Sequence, residues 1–387
     1  MLSPKTTSMI RTAISQSGMA TFNMSVQDSE HGNVAIERLC KKMNDNFGAS
    51  LKCAETENII NQFRDLTTEQ ILQLQTADQE CNSQFENYPA WSPVSHDGVF
   101  FEENAEKRFE NGDVASNVGY IIGTNSFEGS LIWPFLPGVI ESYNDRLTVF
   151  SFMEGHSTNN IRQKFVPEDQ QEEIFENYFR ILSSEDWLSC TNITNCTSYE
   201  YKLLAAMIYG DLAFVLPAFE QALLYSDKGA YTAVYYLNID MLYDPFMYDE
   251  VFGTGHAEDL MFLMDVPSME IEQNGENKTL WELFHSPANS PYPPTEFMYQ
   301  MNEIFLDHWA TIIKNGKAAS HWNQFDRENM KYVEWSNNDT HAIEPIHSGL
   351  PKTVKYMIET FGKPENSSAT IFGSSIVSVF GLIFLFI

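Results

Sequence analysis

Hydrophobic positions along this chain follow two rhythms, and each predicts a different kind of element. Short β-rich runs bounded by glycine read as strands, and strands covered on both faces of a parallel sheet show little polar alternation. Residues 9–18 predict a strand closed by a turn at Gly18, residues 117–123 a second that stops at Gly123, and residues 231–239 a third. A shorter strand is expected near 331–335. The other rhythm is helical. Short amphipathic helices are expected within 33–75 and at 105–112, and a strong one at 168–183 with Ile174, Tyr178, Phe179 and Leu182 on one stripe. Residues 199–225 read as a helix bent at Pro217. Residues 295–313 read as a long helix capped by Thr295 and stopped at Asn315-Gly316, and a last helix is expected near 354–361. No internal repeat is present.

Strands alternating with helices give an α/β class. Three good strand candidates are few for 387 residues, as if part of a sheet were missing.

Two loops carry candidate chemistry. The strand at 117–123 runs into Thr124-Asn125-Ser126-Phe127-Glu128-Gly129-Ser130, which puts one carboxylate in a glycine-flanked turn. In open α/β sheets, ligand and catalytic groups sit beyond the carboxyl ends of the strands. Glu128 therefore stands where an acid that orients a histidine would stand. His256 lies between Gly255 and Ala257, in an aromatic loop spanning 242–258 that follows the third strand. A solvated glutamate and a structural histidine are the commoner fates of either residue alone. Together, in the order acid then histidine, they fit the last two members of an α/β-hydrolase triad.

Charge and cysteine usage narrow the class. With 23 Lys and Arg against 53 Asp and Glu, the net charge is −30, which argues against nucleic acid as a partner. No pair of histidines has zinc-ligand spacing, so no metal is expected. Cys40 and Cys53 bracket one short polar loop and Cys190 and Cys196 another, as local disulfides of an oxidising compartment would. Cys81 is left over. N-x-S/T sequons at Asn23, Asn192, Asn195, Asn277, Asn338 and Asn366 suggest glycosylation on a secretory route, although no signal peptide opens the chain.

The organisation expected is one body over 1–365 and a tail over 366–387. In the tail, small residues (Asn366, Ser367, Ser368) precede an apolar run from Ile376 to Ile387 with no basic residue after it. That is the layout of a GPI-anchor signal, with a single membrane span as the alternative.

Several ordered segments resemble the type-B carboxylesterase and cholinesterase family over nearly all of the chain. They are Ala13-Ile-Ser-Gln-Ser-Gly18, Pro93-Val-Ser-His-Asp-Gly98, Gly119 to Ser130, Gly210-Asp211, Gly255-His256-Ala257-Glu258-Asp259-Leu260, and His308-Trp-Ala-Thr-Ile-Ile-Lys-Asn-Gly316. The resemblance implies the carboxyl-terminal portion of an α/β-hydrolase fold, with an incomplete sheet. It implies Glu128 as the acid, His256 as the general base, Ser17 as a neighbour of the acid, Asp211 as support near the histidine, and a Cys40–Cys53 disulfide. It also implies a small-molecule ester as substrate, with no cofactor and with a homodimer compatible.

The departures carry expectations too. No G-x-S-x-G occurs in these residues, and the family's nucleophile elbow and oxyanion loop align upstream of Met1. A base and its orienter without a nucleophile cannot form an acyl-enzyme, so the chain by itself is expected to be inactive. Leu131 and Ile132 stand where cholinesterase aromatics are expected, and Asn87 and Pro89 fall in the acyl-pocket stretch near Phe85, Tyr88 and Trp91. Fewer aromatic faces favour a broad carboxylesterase over a choline esterase, although the acidic charge and the GPI-like tail lean toward an extracellular, membrane-anchored acetylcholinesterase-like enzyme. The alternative is a non-catalytic adhesion protein like the neuroligins or neurotactin.

Overall fold

The computed structural model describes residues 5–19, 29–48, 52–53, 56–73, 105–136, 138–150, 168–239, 253–264, 269–273, 275–279, 296–318, 322–336 and 346–361, with Ser3, Phe100 and Glu103. The expectations for Asn23, Cys81, residues 85–98, Asn338 and the tail 366–387 lie outside them.

A five-stranded sheet organises the described chain. Its strands are β1 (Thr12–Gln16), β2 (Gly119–Asn125), β3 (Thr232–Asn238), β6 (Lys331–Ser336) and β7 (Ile346–Ser348), in that spatial order. The first three pairings are parallel and β6·β7 is antiparallel. Strands β4 (Glu270–Gln273) and β5 (Glu276–Thr279) form a separate hairpin turning at Gly275, with no counterpart in the hydrophobic pattern. Strands β1, β2, β3 and β6 fall where strands are expected, and β7 is not anticipated.

The period of two along β2 and β3 divides the apolar residues between two cores. Tyr120, Ile122, Val234 and Tyr236 enter one, and Ile121, Ala233, Tyr235 and Leu237 the other. The second core is aromatic: Tyr235 is ringed by Phe305, Trp309, Trp322 and Trp335. A Cβ on Gly123 would lie 2.0 Å from the Tyr235 ring, so only glycine lets that ring cross β2.

Helices cover both faces. They are α1 (Ser29–Phe47), α2 (Thr56–Arg64), α3 (Ala105–Asn111), α4 (Glu168–Ser184), α5 (Ser198–Gly210), α6 (Leu216–Asp227), α7 (Asp259–Leu263), α8 (Glu296–Asn315) and α9 (Lys352–Phe361). The predicted stripe of α4 buries Ile174, Tyr178 and Leu182 in the first core. Helices α5 and α6 run on as one 30-residue segment whose apolar 18-residue window is hydrophobic enough to cross a membrane but 89% buried inside the fold, which assigns it to the core.

The bend expected at Pro217 takes a specific form. Residues Asp211–Val215 make a π-turn, and the Leu216 N–H reaches back five residues to the Asp211 carbonyl. Proline lacks an N–H, and its ring crowds the carbonyl four residues earlier. Widening the preceding turn relieves that conflict and leaves Pro217 in the first turn of α6, where proline is tolerated.

Both expected disulfides are present, Cys40–Cys53 and Cys190–Cys196. Beside the second, Thr197 and Glu200 form a capping box that starts α5.

Candidate active site

Main-chain contacts bring two loops together at the carboxyl ends of β2 and β3. Ser126 N–H donates to the Leu237 carbonyl (2.8 Å) and Phe127 N–H to the Thr254 carbonyl (2.8 Å). Thr254 N–H in turn donates to Ser126 Oγ (2.9 Å). A parallel bridge pairs Phe127 with Gly255, so each loop extends its strand for a further step before turning.

Glu128 opens a 3₁₀ turn, Glu128–Phe135, and is 1% exposed. Its Oε1 accepts from Asn125 N–H (2.7 Å) and from Ser17 Oγ (2.5 Å), and its Oε2 lies 2.6 Å from His256 Nδ1. Three partners thus satisfy a carboxylate that would be costly to bury without them. Ser17 reaches it from the end of β1 with a left-handed backbone, φ 52°. The two distant loops therefore meet within hydrogen-bond distance, and Ser17 donates to the acid from the end of β1.

The histidine loop is held at several points. His256 N–H donates to Ser130 Oγ (2.7 Å), so the acid's own turn also fixes the backbone of the base. Asn125 Nδ2 donates to the Gly255 carbonyl (2.7 Å), and Gly255 N–H donates to Glu258 Oε2 (2.6 Å). Ala257 carries φ 67°, an uncommon conformation for a residue with a Cβ. The Phe214 ring lies 4.8 Å from the imidazole. With Nδ1–H donated to a carboxylate, the basic lone pair falls on Nε2, the arrangement that takes a proton from a hydroxyl.

A second buried carboxyl lies behind the pair. Asp259 Oδ2 accepts from Gln16 Nε2 (2.7 Å) and from the Tyr235 hydroxyl (3.3 Å). Burial, then the charge of Glu128, raises its pKa. Asp211 is buried, its Oδ2 accepting from the Tyr178 hydroxyl (3.1 Å). Burial pushes its pKa up to about 7, against the hydrogen bonds of Thr353 and Tyr178.

Sequence reasoning missed Asn125, Ser130, Phe214 and Asp259 as parts of this site. Asn125 and Ser130 stand within the glycine-rich stretch already singled out, and Asp259 within the histidine motif. Nothing in the sequence points from Phe214 to His256. Leu131 is half-buried and Ile132 buried, and Trp133 packs edge-on to Phe127 and Tyr199 (ring centroids 6.2 and 5.4 Å).

Among the described residues, Cys190, Cys196 and Glu200 come close enough together to suggest metal ligands, but their atoms are already engaged. The sulfurs are joined to each other, and the carboxylate accepts from Ser189, Cys190 and Thr197.

A mostly parallel sheet with an acid and a histidine in adjoining strand-end loops defines the α/β-hydrolase class. Within that class the chain belongs to the carboxylesterase family, whose sequence model matches residues 1–349. At the level of the family it is an ester hydrolase. No curated protein sequence matches it.

Proposed function

We propose that this chain supplies the general base and its orienting acid to a serine carboxylic-ester hydrolase, and that the nucleophilic serine comes from outside residues 1–387. The observation that carries this reading is the buried 2.6 Å contact between His256 Nδ1 and Glu128 Oε2. The carboxylate holds the imidazole in one tautomer, and Nε2 takes the serine proton as the ester is attacked. Residues 1–387 contain no G-x-S-x-G, so the chain alone has no acyl-enzyme chemistry.

The test compares two proteins on a chromogenic ester. The chain as it stands gives no turnover, and the chain extended with the sequence encoded upstream of Met1 hydrolyses the ester. His256→Ala in the extended protein lowers kcat by roughly 10³-fold or more. Labelling of a serine in the unextended chain by an organophosphonate probe contradicts the reading.

Aliphatic residues at Leu131 and Ile132 support a broad carboxylesterase over a choline esterase, because a quaternary ammonium gains from aromatic faces. A buried acid–histidine pair speaks against a purely adhesive role, which places no chemical demand on either residue.

The two disulfides and the exposed sequon asparagines Asn192, Asn195 and Asn277 support passage through the secretory route. On this reading, Asn366 to Ser368 and the apolar run after them form a GPI-anchor signal. Phosphatidylinositol-specific phospholipase C then releases the extended protein from cells. Retention on the membrane after that treatment favours a membrane span.

A further inference from the structure

The end of α5 and the π-turn Asp211–Val215 that continues it meet the two halves of the acid–base pair. On the acid's side, the end of α5 meets the turn of Glu128 backbone to backbone. A Cβ on Gly129 would lie 1.7 Å from the Ala206 carbonyl oxygen, and one on Gly210 would lie 2.5 Å from the Gly129 nitrogen. On the base's side, Phe214 stacks obliquely on the His256 ring, 4.8 Å away at 44°. Tyr209 meets Phe214 edge-on from the preceding turn of α5.

The turn is itself anchored. Asp211, fully buried at its first position, accepts hydrogen bonds from Tyr178 on α4 and from Thr353 on α9. Two helices therefore hold the start of the turn, and Phe214 projects from its far end onto the imidazole. π-turns inside α-helices recur at functional sites because they redirect side chains that a regular helix would leave pointing elsewhere.

We infer that this π-turn is a clamp that sets the geometry of the Glu128–His256 pair, with Phe214 and Asp211 as positioning residues. The inference rests on the proposed role of that pair. Phe214 caps the imidazole and limits its rotation away from Glu128. Asp211 fixes the turn from which Phe214 projects.

The experiment uses the full 387-residue chain with isotope-labelled histidine and follows the far-downfield Nδ1 proton shared by His256 and Glu128. The resonance is assigned by its loss in His256→Gln. Losing one aromatic contact of this kind speeds exchange of that proton with water about fivefold to tenfold in Phe214→Leu. Asp211→Ala gives a similar acceleration, and Asp211→Asn, whose amide keeps the size of the side chain and an oxygen to accept from the Tyr178 hydroxyl, keeps the exchange slow. Phe214→Met, which keeps volume and loses the ring, carries the test should Phe214→Leu fail to fold. An exchange rate within about twofold of wild type in a folded Phe214 variant or in Asp211→Ala overturns the clamp. Absence of the resonance from the wild-type chain defeats the acid–base pair itself, a result distinct from failure of the clamp.

Discussion

Two buried carboxylates titrate in opposite directions, and the difference lies in how many donors surround each. Burial alone would raise Glu200, but hydrogen bonds from Thr197, Ser189 and Cys190 outweigh it and hold the group at about 2. Asp211 has the Thr353 and Tyr178 hydroxyls against full burial and the nearby charge of Glu185, and stands at about 7. Unfolded, an aspartate titrates near about 4. Below that pH, Asp211 is neutral in both states and its contribution to stability is complete. As the pH rises from 4 toward 7 the unfolded chain sheds the proton first, so stability falls, and it levels off above the folded value. Asp211→Asn removes this slope. Urea denaturation is expected to show the variant gaining roughly 2 kcal/mol on wild type between pH 5 and pH 8. Parallel curves for the two proteins would contradict the assignment.

At this scale the sequence was informative where chemistry recurs in motifs. Glu128 and His256 could be chosen because each stands in a glycine-flanked loop after a strand. Ser130 and Asn125 hold the loops by hydrogen bonds whose partners lie 126 and 130 residues away. No local pattern encodes such pairings.

Among elements, α5 meets the acid's turn at close quarters. The Glu128 turn packs on α5 through Gly129 against Ala206 and Gly210, with no room for a side chain. Overpacking at such a point costs about 1–3 kcal/mol and sometimes more. Gly129→Ala is therefore expected to lower stability by roughly 3 kcal/mol and to loosen the pair, read as a lower midpoint in thermal unfolding. Gly138→Ala is the control. That glycine has φ 82° but open space around its Cβ position, so its cost is limited to backbone strain. Equal losses in the two variants would deny the close approach.

The elements themselves were largely legible. Periodicity located α4 and α8, and glycine-bounded runs located β2 and β3, because those segments bury whole faces. Proline marked the break in the long core helix. The form of the break, a π-turn ahead of Pro217 with Asp211 hydrogen-bonded to Tyr178 and Thr353, is not disclosed by pattern alone. The β4–β5 hairpin was missed because Glu270–Gln273 and Glu276–Thr279 are mostly polar and bury little.

Among the described residues, one sheet separates a core around α5 and α6 from a second beneath α8, where the tryptophans gather around Tyr235. Strand β1 is the sheet's edge among the described residues, and all five of its residues are half-buried. It nonetheless delivers Ser17 and Gln16 to the site, so the edge and the chemistry are joined. Disulfides staple two peripheral loops, leaving the sheet to hold the acid and the base. The fold class followed from the alternation of strands and helices, and the family from ordered motifs spread over the chain.

The account stands on Glu128 acting through His256. Its most direct test is the steady-state kinetics of Glu128→Gln in the extended protein. Loss of the orienting carboxylate without loss of substrate binding predicts a fall in kcat of roughly 10³- to 10⁴-fold with KM little changed. A variant that keeps kcat within about tenfold of wild type would contradict it.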